Sequence, residues 1–309
     1  MTGLYLKLLL TTFFWGGTFV AARYAVREAP PFYAAACRFA IASAFLFAAM
    51  WWNARREGRP LPVPRSARDV LSLGVLGVTG IFLYNAFFFT GLKYTGAANG
   101  SLIVAVNPLT TSLIAAWWLG ERVRRLQLAG LAVSLAGVVT IVTRGELSVL
   151  RSLAFNRGDL LLLGAPLAWA LYSVLGRKAL DRFSPLVATA YAALSGTLLL
   201  VPAAWIESRL VPGSHSFSVY GWAAILQLAL LGTVVGFVWW YEAVGRIGAS
   251  RAALFVNLVP LFGTLQAAVV LGERLGRAQW LGGLLVVAGV AVGTIAARSP
   301  ADPGAGSMR

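Results

Sequence analysis

Apolar residues in this chain come in long runs, neither the one-sided stripe of a soluble helix nor the alternation of a half-buried strand. Ten such runs cover 6–26, 32–52, 70–91, 97–119, 126–143, 159–176, 185–206, 221–244, 249–271 and 277–297. Each is close to the length of about 20 residues needed to cross a hydrocarbon core about 30 Å thick. Lipid offers the backbone no hydrogen bonds, so every run is predicted to be a helix. The expected fold class is therefore all-α integral membrane with ten transmembrane helices. The connections are too short for a soluble domain, and the tail from Arg298 to Arg309, rich in Pro, Gly, Ala and Ser, is expected to be disordered. The run from Leu8 to Ala22 has the length of a signal-peptide core, but only Lys7 precedes it as a basic residue, and a counterpart exists later in the chain.

That counterpart is part of an internal repeat. A shift of 152 residues lays Asn107-Pro108-Leu109 on Val259-Pro260-Leu261 and Leu119-Gly120-Glu121-Arg122 on Leu271-Gly272-Glu273-Arg274. Between 97 and 138, 18 of 42 positions are identical under this shift. A shift of 154 lays Trp15 on Trp169 and Pro31 on Pro185. The chain thus divides into a first repeat at 1–145, a second at 146–298 and a tail at 299–309. Each half holds five helices. Five is odd, so the second copy enters the membrane from the opposite side, and the repeats are inverted about an axis in the membrane plane.

Composition agrees with a lipid solvent: 59% of residues are hydrophobic and only 12% charged. The net charge of +15 does not mark a nucleic-acid partner, because the arginines fall between the apolar runs. They act as topology signals. With the N-terminus in the cytoplasm, that side carries sixteen Lys and Arg in loops and the other nine, although Arg144, Arg151 and Arg157 share one outer loop. The chain is therefore expected to span a bacterial-type inner membrane with both termini in the cytoplasm. Cys37, the one cysteine, lies within an apolar run and is expected to be an inert buried thiol.

Several residues bear on what such a bundle does. Pro108 and Pro260 stand mid-span in helices 4 and 9, where a proline removes a backbone donor and bends the helix, making them candidate hinges. Glu121 and Glu273 each end a helix beside Arg122 or Arg274 and are expected to form interfacial ion pairs. Glu242, near the cytoplasmic end of helix 8, is expected to snorkel to the interface. Arg38 lies six residues inside helix 2, roughly 9 Å deep, and is expected to snorkel outward or bind a carbonyl, with a substrate-carboxylate role as the alternative. No carboxylate falls at the midplane, where proton or sodium coupling would most naturally place one, so both coupled transport and uniport stay open.

Uncharged polar and aromatic residues near mid-depth remain as substrate-binding candidates: Trp15, Tyr84, Asn85, Phe88, Asn99, Asn107, Trp169, Tyr172, Ser173 and Asn257. Asn99 and Asn107 are eight residues apart, about 80° in azimuth, and so are able to border one cavity. Such a ring would stack an aromatic or amphipathic substrate while amides orient its polar groups. Gly130 and Gly137, matched by Gly282 and Gly289, form a smooth seam for the other repeat or a second protomer.

Other classes find little support. The chain has no Gly-Lys dipeptide and hence no P-loop. Its one histidine, His215, lies in a loop, and no cluster of nucleophile, base or metal ligands exists, so no catalytic residue, metal or cofactor is expected. The expected partners are a small-molecule substrate and the lipid bilayer, with the chain as monomer or homodimer.

Gly96-Ala97-Ala98-Asn99 through Pro108-Leu109 to Leu119-Gly120-Glu121-Arg122, the second copy of this pattern, and Ala36-Cys37-Arg38-Phe39 resemble the EamA-type signature of the drug/metabolite transporter superfamily. The resemblance covers nearly the whole chain. It implies a ten-helix carrier of two inverted five-helix repeats, cytoplasmic termini and export of amino acids or related metabolites, closest to the aromatic amino-acid exporters.

Overall fold

A computed structural model describes residues 2–92, 94–95, 97–146, 148–149, 156–211, 216–272 and 274–296. Glu273, His215, Arg151, the tail from Arg298 and the side chain of Asn99 lie outside what is described. Ten helices are long and apolar enough to cross a membrane: α1 (Thr2–Glu28), α2 (Pro31–Arg56), α3 (Ala67–Leu92), α4 (Gly100–Leu119), α5 (Arg125–Thr143), α6 (Arg157–Ala179), α7 (Pro185–Leu210), α8 (Val219–Ile247), α9 (Ala249–Val270) and α10 (Arg277–Ile295). No strand occurs among the described residues. Large apolar side chains cover the outside, as a lipid solvent demands: Trp117 is 84% exposed and Val269 86%. The face that carries the N-terminus is called the near face below, and the opposite one the far face.

Three pairings build the bundle. α5 and α10 cross through the glycines that the repeat aligns: a Cβ on Gly137 would lie 2.6 Å from the Gly282 carbonyl oxygen, and one on Gly130 2.5 Å from that of Gly289. The seam therefore joins the two repeats within one chain. α2 packs on α7, where the hydroxyls of Ser43 and Thr197 are 3.3 Å apart. α1 meets α9 at Gly16, whose place admits no Cβ beside the backbone of Phe262 and Gly263.

Two departures from regular helix occur, each in both repeats. α3 widens into a π-helical segment at Val78–Leu83, and α8 does so at Leu228–Val235. Gly80 and Gly232, 152 positions apart, lie inside these segments. α4 and α9 are interrupted just before their prolines: Asn107–Leu119 restarts α4 with Pro108 in its first turn, and a 3₁₀ turn at Phe255–Asn257 precedes Pro260. A proline cannot donate to the preceding turn, so the break falls where the chain is tied least.

Acidic side chains stand at helix ends, and Glu121 differs from expectation. Glu121 forms no ion pair with Arg122 among the described residues. Its two carboxylate oxygens accept the backbone N–H groups of Ala249 and Ser250, both at 2.9 Å, at the start of α9. Those donors are orphans of the first helical turn, and the positive end of the helix dipole adds to the attraction. Glu242 does reach the near face, where it pairs with Lys7 at 2.6 Å and Arg246 at 3.1 Å. Also near, Asp69 at the start of α3 pairs with Arg182 at 2.7 Å. On the far face Glu28 holds Ser218, and Glu207 accepts the backbone N–H groups of Phe32 and Tyr33 at the start of α2.

Candidate functional site

The widened segments of α3 and α8 each receive an aromatic side chain of the other repeat, Tyr172 at α3 and Trp15 at α8. Trp15 of α1 donates its indole N–H to the Gly232 carbonyl, 2.8 Å away, and lies flat enough on α8 that a Cβ on Gly236 would sit 2.7 Å from Nε1. Glycine at 236 is what permits the approach, while a Cβ on Gly232 would meet Thr18 Cγ2 at 2.9 Å. The repeat-related contact differs in detail: Tyr172 of α6 covers Gly80, 2.2 Å from where a Cβ would stand, and Trp169 packs on Tyr84 with centroids 5.7 Å apart.

Trp15 and Trp169 then meet edge to face across the repeat axis, centroids 5.3 Å apart. Around them Phe237 and Trp240 of α8 close the cluster, each within 6.0 Å of both tryptophans. Tyr172 stacks on Tyr241 at 4.7 Å, and Tyr84 continues into Phe88 in a parallel stack at 6.0 Å. Edge-to-face contacts suit the ring quadrupoles and hold each plane in a defined orientation. The centre is packed rather than hollow: Trp240 and Tyr172 are fully buried and Trp169 is 6% exposed. The indole N–H groups of Trp169 and Trp240 nevertheless have no hydrogen-bond partner among the described residues. Buried donors without partners are uncommon, and they are what a polar ligand atom would satisfy.

The candidates from the sequence fall into separate groups. Trp15, Tyr84, Phe88, Trp169 and Tyr172 form one continuous aromatic chain. Ser173, although alongside, donates to the Trp169 carbonyl of its own helix. Asn85 donates to the Ile81 carbonyl in the π segment at 2.6 Å and borders a narrow crevice in the far half of the bundle. Asn257 turns away from the cluster to Ser134 of α5, at 2.6 Å. Asn107 is buried in α4 with its side-chain oxygen unpartnered, and neither Asn85 nor Asn257 bonds to the aromatic cluster.

Three residues of α8 were not anticipated. Phe237, Trp240 and Tyr241 follow i, i+3, i+4 spacing along one buried face. The 152-residue shift carries Asn85 to Phe237 and Phe88 to Trp240, so the repeat itself held the signal. Arg38 also departs from expectation. It neither snorkels outward nor binds a carbonyl: its Nε donates to the Thr233 hydroxyl at 2.9 Å, and its guanidinium lies over the Phe39 ring at 4.8 Å. It borders the same crevice as Asn85. No group of three or more His, Cys, Asp or Glu side chains is placed to hold a metal among the described residues.

Known proteins share this architecture. Residues 2–143 and 156–294 each match the EamA-like transporter family. A transporter of Bacillus subtilis (strain 168), YyaM, is 34% identical over 297 residues, covering 96% of this chain and 95% of its own. A protein of Streptantibioticus cattleyicolor, named a probable terminal-alkyne amino-acid exporter, is 31% identical over 75% of both chains. One from Escherichia coli (strain K12), named a probable amino-acid metabolite efflux pump, is 28% identical over 94% of both. A crystal structure 24% identical to this chain superposes with a TM-score of 0.80 over 96% of it and shows the same fold.

Proposed function

Because the chain belongs to the EamA-like transporter family, which its two halves match almost end to end, we propose that this membrane transporter exports small metabolites, foremost aromatic or amphipathic amino acids, by alternating access. The aromatic cluster shared by α1, α3, α6 and α8 carries this reading. It lies at mid-depth on the repeat axis, where an inverted-repeat carrier binds substrate, and it holds two unpartnered indole donors. A substrate ring would insert between Trp15 and Trp169 and take over their edge-to-face contacts. The two relatives named for amino-acid export point to the same substrate class.

Movement follows from the same parts. The near face is tied by Lys7–Glu242, by Glu121 on α9 and by Asp69–Arg182. The breaks before Pro108 and Pro260 let the end segments of α4 and α9 swing while their longer segments stay packed. Rocking of one repeat on the other, pivoting on the α5–α10 glycine seam, would release these ties and expose the cluster to the near face. The near face is the cytoplasmic one, both termini included, in a bacterial-type inner membrane; the bias of Lys and Arg supports this. The chain carries a complete site and acts as a monomer or as a homodimer of independent units, without catalytic residues or cofactor.

Counterflow into proteoliposomes preloaded with single amino acids tests the reading. Saturable exchange is expected with phenylalanine, tyrosine and tryptophan and weak exchange with glycine or glutamate. If no amino acid shows saturable exchange, the proposed substrate class is wrong.

A further inference from the structure

Arg38 is a full positive charge seven residues inside α2. Its Nε is used by Thr233, yet neither terminal nitrogen has an acceptor among the described residues. Placing a guanidinium at that depth without a counter-ion is costly, and such charges persist where they serve a ligand or a pathway. The acids described above all stand at helix ends and are engaged there, so none neutralises it.

Two features direct this charge toward the aromatic cluster. Gly232 stands between them: its carbonyl takes the Trp15 indole, while a Cβ on it would lie 3.6 Å from Arg38 Nη2. One residue of α8 therefore separates a guanidinium from an indole edge. The crevice that Arg38 borders with Ala22, Ala34, Asn85 and Phe89 approaches from the far side. Small side chains line it, leaving space beside the charge.

The repeat makes the arrangement one-sided. The 154-residue shift carries Arg38 to Ala192 and Thr18 to Tyr172. Thr18 beside Gly232 leaves space for the guanidinium, while Tyr172 fills the equivalent space at Gly80 with its ring. One repeat thus supplies a cation and the other an aromatic wall.

We infer that Arg38 anchors a substrate carboxylate and that the transported class is the aromatic monocarboxylate, whose amino group, when present, is not recognised. This rests on the exporter reading above. A guanidinium offers two parallel donors that match a carboxylate, and the ring of an aromatic acid then reaches the Trp15–Trp169 contact. An ammonium group finds no carboxylate at mid-depth among the described residues and is repelled by Arg38, whose guanidinium lies beside Gly232.

Four compounds of one skeleton separate the groups: phenylalanine, 3-phenylpropanoate, phenylalaninamide and phenethylamine. Binding to the purified protein in detergent is read as ligand-dependent thermal stabilisation at pH 7.5, and transport as competition against phenylalanine counterflow. The acid lacking the amine is expected to bind at least as tightly as phenylalanine, and the amide and amine at least tenfold more weakly. Arg38→Gln should weaken the two acids by tenfold or more, with Arg38→Lys intermediate. Equal binding of phenethylamine and 3-phenylpropanoate to the unaltered protein overturns the inference, whatever the variants do. So does unchanged acid binding in Arg38→Gln. If none of the four enters counterflow, the aromatic amino-acid reading falls, and the binding series still decides the role of Arg38.

Discussion

A glycine and a glutamate explain the Leu-Gly-Glu-Arg pattern that ends α4. Gly120 adopts φ of 67°, a left-handed conformation that terminates the helix and turns the chain toward α9. Glu121 then reaches the backbone donors of Ala249 and Ser250 past Gly248, whose φ is 86° and where a Cβ would meet the carboxylate at 2.9 Å. Chemistry and conformation are matched: three residues exchange a pair of unbonded helix donors for charge-assisted hydrogen bonds. Replacing Glu121 by Ala should destabilise the protein by about 1–2 kcal/mol. A lower unfolding temperature in detergent checks this, with Glu121→Gln falling between because one amide oxygen still accepts. The pattern is visible in the sequence, but its partner lies 128 residues away and could not be read there.

At the scale of elements, the π segments of α3 and α8 set the site. An i→i+5 turn carries one more residue than the α-helix, so the side chains beyond it are rotated relative to those before it. In α8 this lets Gly232 and Gly236 face Trp15 while Thr233 bonds the Leu228 carbonyl and receives Arg38. Replacing Gly236 by Val should push the Trp15 indole off α8, because even a Cβ there would stand 2.7 Å from its Nε1. The variant is expected to insert in the membrane and yet to lose counterflow. Wild-type counterflow in it would show that this close approach has no part in transport. Hydropathy cannot reveal such a segment, because the residues in it are as apolar as those of any span; only the doubled glycine, 80 and 232, marks the place.

The whole molecule is held by contacts between repeats more than within them. α5 with α10, α2 with α7 and α1 with α9 each join one half to the other. Glycine at Gly16, Gly130 and Gly137 makes two of these interfaces close-packed and smooth, as the proposed rocking would require. The inverted arrangement also fixes which loops share a side. In a variant with Cys37 replaced, a cysteine at Glu57 should react with an impermeant maleimide only from the cytoplasm, and one at Val219 only from outside. The reverse labelling would invert the assigned topology, and labelling of both from one side would contradict the inverted repeat.

The ten spans, the two repeats and the family signature were determined by the sequence alone, for a physical reason. In lipid, each crossing must satisfy its own backbone, so its length and apolarity are local properties, and duplication leaves a direct record in residue order. Trp15 and Trp169 could be paired in advance because they occupy equivalent positions. Their direct contact, the closure of the cluster by Phe237 and Trp240, the turn of Asn257 toward Ser134 and the bond from Arg38 to Thr233 were decided only by the tertiary structure. Which side of a helix faces a neighbour depends on crossing geometry and on one residue gained in a widened turn, and neither alters the pattern of apolar residues along the chain.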